Sequence, residues 1–194
     1  MSNRLSLQKR IRQQLVEYGK KIVQAGFVIG SGGNISARYQ DVILLKARNV
    51  NMAQATVNDY IAFDLKKGAF LDNPCLPSSE YRMHILCYRQ RPDICAVIHV
   101  HPVFCVILSS KVKSLKSQEY EYLVNTGGST MVIPYLQPGS LQLARAVSKV
   151  IKQDNAVILK QHGLVCVGRT LEEAYVRCQA IERASLIYIL KRKP

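Results

Sequence analysis

The sequence is short of negative charge. Its 194 residues hold 13 Asp and Glu against 27 Lys and Arg, a formal net charge of +14. Such a surface draws anions: nucleic acid, acidic headgroups or phosphorylated metabolites. The marks of the first two are also missing. No aromatic-plus-basic stacking motif and no zinc-finger spacing occurs, so no specific nucleic-acid partner is expected. No stretch approaches the ~20 apolar residues that span a bilayer, so no membrane partner is expected either. The first residues alternate apolar and basic with no apolar core, which argues against a signal peptide. None of the six cysteines (Cys75, Cys87, Cys95, Cys105, Cys166, Cys178) forms a C-x-x-C pair, and several sit in apolar runs. That predicts buried free thiols in a reducing cytoplasm rather than a disulfide frame. Repeats, low-complexity stretches and linkers are absent too, and the length suits one domain over residues 1–194.

What is present is a mixture of helical and strand patterns. Leu7, Ile11, Leu15, Tyr18 and Ile22 recur at helical spacing, with Gly26 as a stop. A glycine turn, Gly30-Ser31-Gly32-Gly33-Asn34, precedes β-like runs at 35–39 and 42–46, and another follows at 60–63. Residues 72–77 read as a loop because of two prolines. Ser78 or Ser79 would cap a helix to about Gln90, with Glu80 in its first turn. The run 94–100 reads as a buried strand, followed by a helix to Ser110 and a basic loop at 111–116. A strand at 130–134, a helix at 141–151, strands at 155–160 and 164–167, and a last helix opened by a Thr170/Glu173 capping box complete the pattern; the C-terminus ends in Lys191-Arg192-Lys193. This is an α/β chain in one domain.

Chemistry concentrates on a few residues. The chain has four histidines. His99 and His101 alternate on a predicted strand, so both imidazoles point to one face at the edge where strand meets loop. An H-x-H pair alone does not decide between a metal grip and two polar residues at a strand end. His162 tips the balance, because a tight turn between apolar strands has little other use for an imidazole. Three histidines with an open fourth position match a catalytic zinc site; manganese and cobalt are the other candidate ions, and imidazoles favour the later first-row metals. His84, four residues after Glu80, reads as a helix-face residue rather than a ligand. Glu80, at a helix start beside Ser78 and Ser79, is either a first-turn carboxylate stabilised by the dipole or a proton carrier next to the metal. The free amides there, and those of the glycine turn, suit an anion.

These pieces together resemble the class II aldolase/adducin family, in its L-fuculose phosphate aldolase branch. The resemblance spans about residues 25–187 and rests on GGNISARYQD (32–41), LPSSEYRMH (76–84), RPDICAVIHVHPVFC (91–105), VIPYLQPGSLQLA (132–144) and VILKQHGLVCVG (157–168). It implies a central mixed, mainly antiparallel sheet flanked by helices, in a homotetramer with active sites between subunits. It implies His99, His101 and His162 as metal ligands, Glu80 as acid/base, and Asn34, Ser31, Ser78 and Ser79 around a substrate phosphate. A tyrosine donated from the neighbouring subunit corresponds to Tyr120 or Tyr122, with Tyr122 the expected one. The implied reaction is reversible cleavage of a ketose phosphate to dihydroxyacetone phosphate and an aldehyde, with Glu80 moving the proton of the enediolate carbon. One departure stands out. Where the branch carries a Thr-Pro-Ser/Thr-Gly turn, this chain has Lys46-Ala47-Arg48-Asn49, and Arg48 can grip a phosphate or a carboxylate bidentately. This cationic turn keeps epimerases, dehydratases and decarboxylases of the same scaffold in view, beside a non-catalytic adducin-like module.

Overall fold

The computed structural model describes residues 2–71 and 75–191, with side chains from residue 8 onward. The side chain of Leu7, the loop residues Asp72, Asn73 and Pro74, and the terminal Arg192 and Lys193 lie outside the described residues. In chain order the elements are α1 (Ser2–Gln24), β1 (Asn34–Tyr39), β2 (Val42–Lys46), β3 (Tyr60–Asp64), β4 (Ala69–Phe70), α2 (Tyr81–Gln90), β5 (Ala96–Val100) and α3 (Val103–Ser109). Then follow β6 (Ser114–Lys116), α4 (Tyr120–Thr126), β7 (Ser129–Ile133), α5 (Leu141–Ile151), β8 (Ala156–Leu159), β9 (Gly163–Gly168) and α6 (Leu171–Lys191).

The strands form one nine-stranded sheet in the order β4-β3-β2-β1-β5-β9-β8-β7-β6. Every described pairing is antiparallel except β7 with β8, which is parallel. Side chains alternate across a strand, so the sheet builds two apolar layers. Ala96, Ile98 and Val100 of β5 join residues of α1, α3, α4 and α6. Val97, from the opposite face, joins residues of α2 and α5. The expected sheet flanked by helices is therefore what forms, and His99 falls by alternation on the α2 side.

Local signals behave as their chemistry dictates at several ends. Gly26 takes a left-handed φ of 71° just after α1. The Ser140 hydroxyl accepts from Leu143 N at 3.0 Å and caps α5. Thr170 accepts from Glu173 N at 3.1 Å, but the Glu173 carboxylate reaches Arg169 N at 2.9 Å instead of completing the box on Thr170. Other expectations need correcting. Neither Ser78 nor Ser79 caps α2: Glu80 itself occupies the cap position and makes no capping bond. The stretch expected as a basic loop contains β6, an edge strand paired with β7. Its flanking lysines suit an exposed edge, which charge protects from further pairing. The seven-residue α4 has no sequence counterpart in the expected pattern. Four of the cysteines are buried free thiols as expected, whereas Cys75 and Cys95 are free but exposed.

Candidate active site

β1 and β5 set the centre of the site. They pair so that Asn34 stands opposite His99. The glycine turn before β1 folds directly onto β5, and only a residue without a side chain fits at Gly33. Its φ is +64°, and a Cβ there would lie 2.8 Å from the His99 carbonyl oxygen and 2.6 Å from Val28 Cγ1. His101 follows the end of β5, where its N–H donates to Phe27 O at 2.8 Å. His162 sits in the β8–β9 turn, pinned by its own N–H to Leu159 O at 3.1 Å and by Gln161 N to the buried Ser109 hydroxyl at 2.8 Å.

The three imidazoles converge. One nitrogen from each of His99, His101 and His162 lies within 4.8 Å of the others. His99 Nδ1 donates to Leu164 O at 3.0 Å, which leaves Nε2 aimed inward. That bond fixes the tautomer and the ring plane, as the outer partners of metal-bound histidines do. His99 Nε2 then stands 3.1 Å from His101 Nε2 and 3.0 Å from Glu80 Oε2. Lone pairs so placed repel unless a proton or a cation lies among them. Two nitrogens on one tetrahedral ion at ~2.0–2.1 Å stand about 3.3 Å apart, close to the spacing found here. Among the described residues, Glu80 Oε1 and His162 Nδ1 are buried with no hydrogen-bond partner, and Oε1 stands 3.7 Å from His162 Nε2. Buried polar atoms are rarely left so, and an ion is one explanation of the exception. This donor set fits a divalent metal.

Charge follows the same geometry. Burial drives the Glu80 carboxyl up, but the His99 charge and hydrogen bond, His162 and the Asn34 amide outweigh it and hold the group well below its ordinary value. His99, also penalised by burial, is raised by Glu80. Burial, followed by the charge of His99, lowers His101 to about 3 and His162 to about 4. Two of the three imidazoles are therefore neutral at physiological pH, the form a metal needs.

A cleft of about 260 Å³ opens beside this group. Ser31, Asn34, Arg48, Ser78, Ser79 and Glu80 all line it, with His101 and His162. The structure thus gathers the anion-pocket candidates with two of the histidines. Asn34 Nδ2 donates to Glu80 Oε2 at 3.0 Å, while Ser78 Oγ accepts from Glu80 N at 3.4 Å. Arg48 is exposed and donates from Nε to Pro77 O at 3.2 Å. Tyr122 is a correction. It is 1% exposed in the core, its hydroxyl donating to Leu115 O at 2.9 Å and pairing with Thr130 Oγ1 at 2.8 Å, so it has no free hydroxyl to offer a site. Tyr120, two residues earlier, is 76% exposed.

Three residues contribute in ways the sequence reading did not assign to them. Lys46 lines the cleft while buried, donating to Ser31 O at 3.1 Å and Val50 O at 2.7 Å. Pro138 lines it from the α5 approach. His84 is no surface residue of its helix: it is fully buried and bonded to Ser36 and Asn34.

Known proteins match this sequence and fold. The model of the Class II Aldolase and Adducin N-terminal domain matches residues 13–189. An L-fuculose phosphate aldolase of Methanococcus maripaludis is 34% identical over 167 residues, covering 84% of this chain and 88% of its own. A 5-deoxy-D-ribulose 1-phosphate aldolase of Bacillus thuringiensis serovar kurstaki is 31% identical over 184 residues, covering 94% and 85%. A solved L-fuculose 1-phosphate aldolase superposes with a TM-score of 0.87 at 27% identity, covering 94% of this chain and 86% of that one.

Proposed function

Since the chain belongs to the class II aldolase and adducin family, we propose that it is a metal-dependent aldehyde-lyase that reversibly cleaves a ketose phosphate to dihydroxyacetone phosphate and an aldehyde. The observation that carries this reading is the convergence of three imidazole nitrogens on a buried carboxylate with an orphaned oxygen, at the mouth of a polar cleft. The relatives described above are named as aldolases of ketose phosphates, so the epimerase, dehydratase, decarboxylase and binding-module alternatives are not favoured.

His99, His101 and His162 would hold the ion, with zinc the expected one. A divalent ion there supplies the electrophile that stabilises oxygen charge as the carbon–carbon bond breaks. Glu80 is the proton carrier. Its Oε2 accepts from Asn34 Nδ2, which leaves Oε1 to exchange a proton with the substrate carbon. Ser31, Ser78, Ser79, Asn34 and Arg48 would orient the anionic group, Arg48 as the cation nearest solvent. Assembly completes the site. Val103, Ile107, Leu123 and Val124 are exposed apolar residues on α3 and α4, a composition that suits self-association into the family's homotetramer. In such an assembly the exposed Tyr120, not Tyr122, is the tyrosine offered to a neighbour. Free thiols suit a reducing cytoplasm.

The reading is tested by metal analysis of untagged protein together with the exchange of carbon-bound hydrogen of dihydroxyacetone phosphate in D2O. Near-stoichiometric zinc should be present in the wild type and lost in His99→Ala. Glu80→Gln should keep the metal but slow exchange by roughly 10²–10⁴-fold. Normal exchange in metal-loaded Glu80→Gln would show that the carboxylate is not the proton carrier.

A further inference from the structure

Glu80, His84 and Tyr88 are spaced four residues apart, so they fall on one face of α2 from its cap onward. Asn34 and Ser36 alternate on β1 and share the face opposite them. The two rows interdigitate. The Tyr88 hydroxyl meets Ser36 Oγ at 2.9 Å, and Ser36 Oγ meets His84 Nδ1 at 2.7 Å. His84 Nε2 bonds Asn34 Oδ1, and Asn34 Nδ2 meets Glu80 Oε2 at 3.0 Å. Each of these side chains is more than nine-tenths buried.

The direction of this chain follows from its end. An ionised carboxylate only accepts, so Asn34 must present its NH2 to Glu80 and its oxygen to His84. His84 must then carry its proton on Nε2, which leaves Nδ1 to accept from the Ser36 hydroxyl. Ser36 has no second proton, so Tyr88 donates to it. Burial pushes the His84 imidazole down to about 3, so the ring is neutral and has a single N–H to place. Were the Asn34 amide reversed, its oxygen would face Glu80 Oε2 lone pair to lone pair, at the spacing now occupied by a hydrogen bond. A buried contact of that kind costs more than the bond it replaces.

We propose that His84 is a positioning residue for proton transfer by Glu80: backed by Ser36 and Tyr88, it locks the Asn34 amide so that Oε2 is held and Oε1 stays free for the substrate. The proposal rests on the reading of Glu80 as acid/base. It assigns His84 no contact with substrate and no role in holding the ion.

Two measurements on zinc-loaded protein test it. Nitrogen-15 NMR of histidine-labelled wild type reads the tautomer without any turnover, and the Nε2–H form is expected at neutral pH. Hydrogen exchange of dihydroxyacetone phosphate in D2O then compares His84→Leu with His84→Gln. The Leu variant should lose roughly 10–100-fold in exchange rate with zinc content and KM little changed. The Gln variant keeps a donor aimed at Asn34 Oδ1 and should recover most of the rate. An Nδ1–H tautomer in the wild type would overturn the proposal, as would a Leu variant with the wild-type rate or a Gln variant no faster than Leu. If instead Glu80→Gln exchanged normally while the tautomer stood, the role of Glu80 would fall and the chain's direction would survive.

Discussion

Lys46 shows how one buried cation can wire a site from within its wall. Its ammonium spends two donors on the carbonyls of Ser31 and Val50, tying the glycine turn to the segment after β2. Arg48, two residues on, is left to meet solvent and any anion in the cleft. The backbone between them is anchored by Arg48 N to Leu76 O at 2.9 Å, and Asn49 takes a left-handed φ of 60°, a conformation asparagine tolerates better than most residues. Burial lowers Lys46 from 10.5 to about 8. The folded state therefore sheds this proton before the unfolded state does. Below pH 8 the cost of burying the charge is fully present; from there to about 10.5 it is relieved, so this residue makes stability rise with pH. The difference in melting temperature between the wild type and Lys46→Met should grow in the wild type's favour from neutral pH to pH 10. A flat difference would mean that the ammonium is not held in a buried place.

Among the elements, the β8–β9 turn depends most on close approach. Gly163 leaves no room for a side chain: a Cβ there would lie 2.3 Å from Val100 O and 2.8 Å from His101 Cδ2. Gly163→Ala must push β9 from β5 and His101 from His162. It should cost about 1–3 kcal/mol by overpacking and lower zinc occupancy, measured by thermal melting and metal analysis. Full zinc at the wild-type melting temperature would show that the turn relaxes freely. This element was legible in the sequence because its parts are local: a histidine and glycine between two apolar β-branched runs. β5 was legible for the same reason, since alternation alone puts His99 and His101 on one side. The fate of His84 was not, although its four-residue spacing from both Glu80 and Tyr88 was there to see; only the pairing of α2 with β1 shows that this face is inward. Tyr120 and Tyr122 differ for a similar reason. Residues two apart on a helix point in nearly opposite directions, and which direction is inward for the short α4 is decided by its packing on α6 and β7. The edge strand β6 was hidden because three residues among lysines carry no pattern until β7 pairs with them.

At the scale of the whole molecule, one sheet separates two helical layers, and the site lies where β1 and β5 meet the start of α2 and the β8–β9 turn. The helices α3 and α4 both pack on α6 and carry exposed apolar side chains: Val103 at 56%, Ile107 at 44%, Leu123 at 40% and Val124 at 65%. Covering such residues with a second copy would remove apolar area from water at about 25 cal/mol per Å², and it would carry the exposed Tyr120 to a neighbour. Assembly and turnover should therefore fall together. Replacing both Ile107 and Val124 with Glu should yield monomers by sedimentation velocity that still bind zinc through their own three histidines but turn over poorly. Tyr120→Phe should reduce turnover with the oligomer intact. Tyr122→Phe should lower stability by about 1 kcal/mol through its lost hydrogen bonds and leave turnover alone. A monomeric variant with wild-type turnover would mean that each chain holds a complete site, and Tyr120 would then have no catalytic part.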